Sequence, residues 1–520
     1  MKNKNIKHLL TLFMYLVSFT ASAYDFEVDG IYYTVTSFTD FTCAVTYGEK
    51  EYEGTLIIPP TVVYNNRTLT VVGINGFSSD NAIRSLTIPY TVSSVSNNAL
   101  YNCTSLDSLI IQDGDTEIDL GRSSHYEYEY EHRWGISSSY DLYLYYYQGP
   151  LYHTPTSYVY VGRNIKKVRH DTSYWSSGNQ HQYYYYDQFY NSSLKVAEIG
   201  SKVTSMPFFY ESEQLEKVIF SKESAIEIGD SIFMRCSKLS EISANDKVKR
   251  IGNRVFFRCN SLKNVPFPNA EIIGEYAFYG CSALESVPLP SAQTIGSSAF
   301  GSCDVLECIS IPNVQAIGDY AFSYCRSLET IALPQSVESI SGCAFWGTKI
   351  TDIVIPNRVK VLNNIFPNCI KSITLGDSIE SIGSSTFKCD SLETINILTA
   401  TPPSLHKDAC GNVQYMNVNV NVPIGTKEAY MQADYWKNFW NINEIDPTGI
   451  ESITETSAEL VFSSTSDGIA LSGANGQSVR VYSITGEEVL SIKNYQGQSF
   501  SLPKGICVIK AGKKALKVQL

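Results

Sequence analysis

Apolar residues recur along this chain at fixed places within a repeat of about 22 residues. Residues 311–330, IPNVQAIGDYAFSYCRSLET, contain the frame Ile-Gly-x-x-Ala-Phe-x-x-Cys, and copies of it follow one another through most of the sequence. Its phenylalanine position is occupied by Phe77, Leu100, Phe189, Phe209, Phe233, Phe256, Phe278, Phe300, Phe322, Phe345, Phe366 and Phe387. Such a period predicts a solenoid in which each turn buries its apolar edge against the next.

Two segments of each copy should shape the turn. The run 328–334, LETIALP, has apolar residues at alternate positions, which predicts a short strand with Ile331 and Leu333 facing inward and Pro334 at its end. The chain should turn at Gly318, because glycine reaches positive φ without a steric cost. Stacked copies would place the strands about 4.8 Å apart. The predicted fold class is mainly β, a leucine-rich-repeat solenoid with turns of about 22 residues.

The cysteines follow the same frame. Most lie three residues after the phenylalanine position of their own copy, namely Cys103, Cys236, Cys259, Cys281, Cys303, Cys325 and Cys369. They should form a buried column of thiols that pack as small hydrophobic side chains. A zinc site would need four ligands that converge on one point, and a column along a solenoid spreads them apart. The total of 13 is odd, so the cysteines cannot all pair within the chain, and their disulfide state stays open.

The repeat resembles the BspA-type leucine-rich repeat of bacterial surface proteins over roughly residues 59–445. Residues 24–58, which begin YDFEVDGIYYTVTS, resemble the N-terminal β cap of those proteins, and residues 400–445 resemble their closing turn. In that closing turn Tyr430, Trp436, Phe439 and Trp440 would cover the last open repeat. The resemblance implies a secreted or cell-surface binding protein that adheres to host matrix proteins or to other bacteria.

Both ends of the chain have features that would fit an exported protein. Residues 1–23 have a basic start, an apolar run too short to span a bilayer and the small-x-small sequence Ala21-Ser22-Ala23, which predicts a signal peptide cleaved after Ala23. The solenoid should occupy 59–446, a linker 447–467 and a small β-sandwich 468–520. This last domain resembles the sorting domain of the type IX secretion system, except that Cys507 stands where an aromatic residue is usual. The alternative is a β module that only caps or spaces the solenoid.

A tyrosine-rich insertion, at about residues 112–190, interrupts the period. Nearly half of the 36 tyrosines lie there, and tyrosine offers a large, stiff contact surface at low entropic cost. Part of it, 157–162, should still be a strand of the array. The candidate ligand-binding residues are Trp134, Tyr143, Tyr145, Tyr147, Trp175, Tyr183 and Tyr185. The alternative is a hairpin whose tyrosines pack on the solenoid flank, since tyrosine also favours strands.

Acidic residues form two further candidates. Glu285, Glu307 and Glu329 follow the leading leucine of three successive copies and should form an exposed column able to accept a basic partner or a cation, or simply to remain solvated. Asp113, Asp115, Glu117 and Asp119 alternate, so a strand would align them, and a solvated strand face is favoured over a calcium site. His125 and His132 lack a metal-binding frame. Pro266 and Pro288 should weaken the strand ladder.

Composition and charge restrict the function. The chain of 520 residues is 43% hydrophobic and 18% charged, as a folded protein is, and its net charge of -12 argues against nucleic acid and against adsorption to anionic lipid. No catalytic motif or cofactor frame is present, so we expect neither enzyme activity nor a cofactor or metal. The expected protein is adhesin-like, secreted or associated with the outer membrane, and binds an extracellular protein. A glycan ligand, or a structural spacer with no ligand, is the alternative.

Overall fold

The computed structural model describes most of the chain after the predicted signal peptide. The described residues are 23–77, 81–121, 126–134, 139–147, 150–151, 154–166, 172–176, 179–185, 189, 193–223, 226–445, 461–465, 468–472, 478–483, 488–493, 495–496, 506–511 and 514–519. The chain separates into two compact units, which divide between residues 444 and 445. The first is a mainly β solenoid of about 14 turns.

A six-stranded sheet precedes and overlaps the first turns. Its strands are Phe26–Val28, Ile31–Ser37, Thr42–Thr46, Thr61–Tyr64, Arg67–Ile74 and Ser94–Val95. The first three pair antiparallel in sequence order. The segment 24–58, expected to form a cap, also contains Glu53–Ile57, which pairs in parallel with the next solenoid strand instead. This sheet and the solenoid are therefore interleaved along the chain.

Most turns contribute one strand to a parallel ladder, here called the main ladder, which forms three separate sections. Its first section has seven strands: Glu53–Ile57, Ala82–Ile88, Ser108–Ile111, Tyr158–Val161, Val196–Ile199, Lys217–Phe220 and Glu241–Ile242. Its second section has only Ser286–Pro288 and Cys308–Ser310, and its third has Asp352–Val354, Ser372–Leu375, Thr394–Ile397, Asn419–Pro423 and Asn441–Ile445. The strand predicted within 157–162 is confirmed, because Tyr158–Val161 pairs with a solenoid strand on each side.

The main ladder is interrupted at Pro266, one of the two prolines predicted to weaken it. No strand forms at residues 262–267, so the predicted weakening is confirmed there, whereas Pro288 ends a strand that still pairs with the next turn. A second interruption contradicts a prediction. Residues 328–334 form no strand, and Ile331 and Leu333 are only half-buried. Alternating apolar residues alone were therefore not sufficient for a strand at this turn.

A second, shorter ladder, in two sections, forms at the Ile-Gly position of the repeats, which several copies fill with other residues. Its two-residue strands are Arg250–Ile251, Ile272–Ile273, Thr294–Ile295, Ala316–Ile317 and Ser339–Ile340, followed by Val361–Leu362, Ser381–Ile382 and Ser404–Leu405. The expected reason for the glycine is wrong, because Gly318 does not have a positive φ. A Cβ atom on Gly318 would instead lie 2.6 Å from the backbone nitrogen of Ser297 in the previous turn. Glycine is required because the stacked backbones leave no room for a side chain.

The phenylalanine of each repeat points into the coil, as predicted. From Phe189 to Phe345, the ring centroids of successive turns lie 5.1–5.8 Å apart, and the rings are nearly parallel. All of these rings are buried. They belong to one hydrophobic core that runs from Phe26 to Ile442. The stack explains why the same large residue returns in each copy: each ring is the packing surface for the next.

The buried thiol column is confirmed for most of its predicted members. Five thiols donate hydrogen bonds of 3.0–3.2 Å to the phenylalanine carbonyl of the previous turn, and these are Cys236, Cys259, Cys281, Cys303 and Cys325. Cys103 is buried but bonds within its own turn, and Cys369 is partly exposed. Each of these phenylalanine carbonyls also accepts a backbone N–H within its own turn, so the thiol adds a second hydrogen bond that links neighbouring turns.

The thiol column predicts loss of stability at alkaline pH. Burial raises the pKa of Cys325 to about 12, whereas a thiol in an unfolded chain ionises near pH 8.5. Above that pH the unfolded state releases a proton that the native state keeps, so unfolding becomes easier as the pH rises. Between about pH 7.5 and pH 10.5, wild type should lose about 3 kcal/mol more unfolding free energy than Cys325→Ala. Urea titrations with reductant at both pH values measure this; equal losses would contradict it.

The closing segment covers the last repeat with aromatic side chains. It contains the helices Asn412–Asn417 and Lys427–Gln432 and the 3₁₀ helix Trp436–Asn438. Tyr430, Trp436 and Phe439 are buried, as predicted, and the indole nitrogen of Trp436 donates to the carbonyl of Pro403 at 2.7 Å. Trp440 is a correction, because its side chain is 72% exposed. Three of the four predicted residues therefore cover the core.

The second unit consists of antiparallel sheets. Val461–Thr465 pairs with Gly468–Ser472, and a four-stranded sheet contains Val479–Ser483, Glu488–Ile492, Ile506–Ala511 and Lys514–Gln519. The strands expected within 479–492 and 502–518 are therefore confirmed. Packing of the two sheets into a sandwich stays a prediction. Cys507 lies on the strand Ile506–Ala511, and its side chain is outside the described part of the structure. Within the described part of the chain, no helix is both long and apolar enough to span a membrane.

Candidate functional site

The tyrosine-rich insertion forms a separate four-stranded sheet, here called the tyrosine sheet. In spatial order its strands are Tyr126–Trp134, Ser139–Tyr147, Asn179–Tyr185 and Thr172–Ser176. They are two antiparallel hairpins joined by a parallel pair in the middle. The hairpins leave the solenoid on either side of Tyr158–Val161, so they come from neighbouring turns. The stacking of turns thus brings together hairpins that are separated in sequence.

Strand register aligns the predicted tyrosines across three strands. Tyr145 is opposite Tyr128 on one side and Tyr183 on the other. Two parallel rows flank this one on the same alternation. One row is Tyr126, Tyr147 and Tyr185, and the other is Tyr130, Tyr143 and His181. Residues in register on neighbouring strands share a face of the sheet. Eight tyrosines and one histidine therefore occupy nine adjacent places of a single face.

The two predicted tryptophans fall in different alternations of this sheet. Trp134 is two residues beyond His132 and belongs to the same alternation as the tyrosine rows. Trp175 is opposite Gln180, which is opposite Leu142, so it belongs to the other alternation. Glu127 and Glu129 also belong to that other alternation, as the sequence suggested. The sheet therefore groups six of the seven predicted aromatic residues and separates Trp175 from them.

The glutamate column is exposed along the main ladder. Glu285, Glu307 and Glu329 are all exposed, and the backbone N–H of Glu307 donates to the carbonyl of Glu285 at 3.0 Å. Among the described residues, none of the three carboxylates takes part in an ion pair. Glu329 lies on the turn that forms no strand. The column is thus present as predicted, but the ladder beneath it stops after the second member.

A shallow groove of about 470 Å³ was not anticipated from the sequence. It crosses four successive turns, and its charged lining residues are Glu216, Lys238 and Lys263. It lies beside the gap in the main ladder at 262–267. The only sequence feature that pointed to this gap was Pro266. The groove is open and weakly charged, so it offers little to hold a small ligand.

The acidic run after residue 112 is not a strand face. No strand forms at 113–117, and the carboxylates find separate partners: Tyr160 donates to Asp113 at 2.8 Å, and Lys202 pairs with Asp115 at 2.8 Å. Burial, followed by the hydrogen bond to Asp113, raises the pKa of Tyr160 to about 12. Among the described residues, no group of three acidic, histidine or cysteine side chains is arranged to hold a metal ion.

The repeat geometry defines a leucine-rich-repeat solenoid. Comparison with known families identifies which type of leucine-rich repeat it is. A profile described as BspA type Leucine rich repeat region matches residues 60–130, 182–307, 263–372 and 316–433, with six copies. These matches cover more than half of the chain, so the protein belongs to the BspA-type leucine-rich-repeat family. No curated protein matches the chain.

Several solved structures are similar at low sequence identity. A leucine-rich repeat protein from Bacteroides ovatus is 18% identical, covering 72% of this chain and 95% of its own, with a TM-score of 0.37. A leucine rich cell surface protein from Faecalibacterium prausnitzii is 19% identical, covering 72% and 94%, with a TM-score of 0.30. The pneumococcal vaccine antigen PcpA is 16% identical, covering 82% and 99%, with a TM-score of 0.32.

Proposed function

We propose that this protein is a secreted or cell-surface, adhesin-like binding protein that contacts extracellular proteins of a host matrix or of other cells. The observation that carries the proposal is the register of the tyrosine sheet. It sets Tyr145 and Tyr147 beside tyrosines of both neighbouring strands, and Tyr143 beside a tyrosine and a histidine. Interfaces are enriched in tyrosine because its ring buries a large area and its hydroxyl keeps a hydrogen bond. Membership of a family of surface repeat proteins supports the same conclusion.

The domain plan of the proposal follows the chain. Residues 1–23 direct export and are removed after Ala23, 24–58 form the N-terminal β cap, 59–446 carry the binding surfaces, and 447–467 link them to the last domain. We propose that residues 468–520 act as a type IX sorting domain, a role supported by the antiparallel strands between 479 and 519. Deleting 468–520 in a bacterium with that secretion system should then retain the protein in the periplasm.

The glutamate column is proposed as a lesser contact. Three exposed carboxylates without ion-pair partners in the described structure would attract basic side chains of a partner. Such exposed contacts contribute more to the association rate than to the affinity, and salt screens them. The tyrosine sheet, not the column, should therefore determine how tightly the partner is held.

Two matched double substitutions test the tyrosine sheet. Tyr145→Ser with Tyr183→Ser removes one cross-strand pair of the tyrosine rows, and Tyr146→Ser with Tyr184→Ser removes the adjacent pair of the same two strands in the other alternation. The purified full-length proteins are assayed against immobilised matrix proteins, bacterial cells and a glycan array. The first pair should weaken protein binding by about tenfold or more, as loss of central interface tyrosines does, and the second should leave it nearly unchanged.

Three results would count against the proposal. Equal losses in both pairs would mean that the tyrosine rows are not a specific surface. Binding to the glycan array alone, abolished by the first pair, would make the protein a glycan-capture protein. Binding to none of the targets by the folded wild type would favour a structural spacer. Circular dichroism of each variant identifies a loss of binding caused by unfolding.

A further inference from the structure

A cluster of arginine and aromatic side chains lies on the solenoid well away in sequence from the insertion. It consists of Arg254, Phe257, Arg258, Tyr276 and Tyr279, here called the arginine–aromatic patch. These residues occupy equivalent places in two successive turns, on the Gly-x-x-Ala-Phe-x-x-Cys arc. Both arginines are exposed, and the three rings are half-buried. None of the five belongs to the candidates that the sequence indicated.

The side chains of the patch are in mutual contact. The guanidinium carbon of Arg254 lies 5.4 Å from the centre of the Tyr276 ring, and that of Arg258 lies 5.5 Å from the centre of the Phe257 ring. Phe257 stacks on Tyr279 at 5.3 Å, and Tyr279 contacts Tyr276 at 5.7 Å. Cation–π contacts hold both guanidiniums in place, so less rotational freedom is lost when they bind a carboxylate.

The backbone beneath the patch is held by the stacking of turns. Arg254, Arg258 and Tyr276 have positive φ values of 53°, 58° and 54°, which are costly for residues with a side chain. Hydrogen bonds to the next turn maintain this conformation, since the N–H of Arg254 donates to Glu275 and that of Arg258 to Tyr279, at 2.8 and 2.7 Å. The arginines are therefore mounted on a rigid backbone and not on a loose loop.

Neither arginine of the patch has an acidic partner within the described structure. Two other arginines of the same surface do: Arg235 pairs with Glu211 at 2.6 Å, and Arg326 lies 3.7 Å from Asp304. Arg254 and Arg258 make no ion pair, and neither does Glu275 on the adjoining turn. Two exposed positive charges thus stand without neutralisation on a protein whose net charge is -12.

A second aromatic cluster follows the patch after one intervening turn of small residues. It contains Tyr320, Tyr324 and Trp346, which are 39–43% exposed, and the rings of Tyr324 and Trp346 lie 5.3 Å apart. The turn between the two clusters has Gly301 and two serines, Ser298 and Ser302, at the corresponding places. The Tyr279 ring lies so close to Gly301 that an added Cβ would be 2.8 Å from it. The Tyr279 ring therefore packs over this turn of small residues, and the exposed rings of the second cluster follow on its far side in sequence.

We infer that the arginine–aromatic patch and this second aromatic cluster form a docking site for an acidic segment of a partner protein. Carboxylates of the partner bind Arg254 and Arg258, and its apolar side chains pack on the exposed rings of the second cluster. Tyrosine, tryptophan, phenylalanine and arginine are the residues enriched in protein interfaces, and lysine is depleted there, which favours a protein over an anionic glycan. The inference rests on the proposed protein-binding role but uses none of the residues of the tyrosine sheet.

Fluorescein-labelled poly-L-glutamate is the probe for the site. Because the whole protein is negatively charged, general attraction does not bring this polymer to it, and binding reports a local basic surface. Fluorescence anisotropy with the full-length protein compares wild type with Arg254→Gln/Arg258→Gln. The control, Arg67→Gln/Arg84→Gln, removes the same charge from two exposed arginines, of which Arg67 also stacks on an aromatic ring at 5.1 Å. Polygalacturonate, an anionic glycan, is tested in parallel.

The patch variant should weaken poly-L-glutamate binding by about tenfold or more, while the control variant changes it by less than about twofold. Arg254→Lys/Arg258→Lys should also lose most of the affinity, because lysine keeps the charge but not the planar, stacked guanidinium. Equal losses in patch and control variants, full binding by the lysine variant, or a patch-dependent preference for polygalacturonate would each overturn the inference. Because Tyr145→Ser/Tyr183→Ser leaves this site intact, failure of the tyrosine sheet proposal is recognised separately.

Discussion

Gly296→Ala should destabilise the solenoid by about 3 kcal/mol, which is the upper range for forcing extra atoms into a packed interior. A Cβ on Gly296 would lie 2.7 Å from the backbone nitrogen of Glu275 and 2.7 Å from the carbonyl carbon of Gly274. Both are backbone atoms of the previous turn, so no side chain can rotate away to make room. The two turns must separate, and that would stretch the hydrogen bond from Gly296 N–H to the carbonyl of Ile273, now 2.8 Å.

Gly229→Ala is the matched control for this change. Gly229 holds the same place after Ile228, its φ is not positive, and an added Cβ would meet nothing within 4 Å. This substitution should be neutral or stabilise slightly, by up to about 0.5 kcal/mol, because alanine restricts the unfolded chain. Urea and thermal unfolding followed by circular dichroism compare the two variants. Similar midpoints for both would mean that contact between turns does not explain the glycine column.

Trp436→Ala should cost about 3–5 kcal/mol, as other large-to-small aromatic substitutions in a core do. The Trp436 ring is fully buried, contacts Tyr430 edge-on at 5.5 Å and lies 6.4 Å from Phe387, the last ring of the repeat frame. The substitution also leaves the carbonyl of Pro403 without its indole donor. Because the end of a solenoid lacks a following turn, damage there should open the last repeats before the others.

Trp440→Ala is the corresponding control. Its side chain is 72% exposed, so the expected change in unfolding free energy is within about 0.5 kcal/mol. Hydrogen exchange is the more informative measurement, since Trp436→Ala should lower amide protection in Thr394–Ile397 and Asn419–Pro423 before it affects Lys217–Phe220. Uniform loss of protection along the array, or an equal effect of Trp440→Ala, would show that Trp436 does not act as a cap.

The candidate site was predictable in part. Alternation of tyrosine with glutamate in 126–131 predicts a strand, and the sheet contains that strand and the one with Tyr143, Tyr145 and Tyr147. Pairing between Ser139–Tyr147 and Asn179–Tyr185 could not be predicted, because it joins hairpins from two different turns in parallel. The arginine–aromatic patch could not be predicted for a similar reason. Within each repeat its members are ordinary surface residues, and those of the two repeats become neighbours only when the turns stack.

The sequence by itself determined the period, the buried faces and the columns of phenylalanine and thiol side chains. Residues at the same offset of a regular coil occupy the same radial position, so repetition in sequence becomes alignment in space. Only the tertiary structure decided how backbones of neighbouring turns meet. It assigned Gly318 to a close approach and not to a turn, left 328–334 without a strand and exposed Trp440.

Arg163 is the clearest example of a residue whose contacts only the tertiary structure decides. Its side chain is fully buried, and its guanidinium donates to the carbonyls of Pro89, Tyr90 and Val92, more than 70 residues away in sequence, with no carboxylate among these acceptors. Burial lowers the pKa of this group to about 10. A periodic pattern carries no information about such a contact. Period and polarity describe a residue's place within its own turn, whereas contacts between turns depend on distances that exist only after stacking.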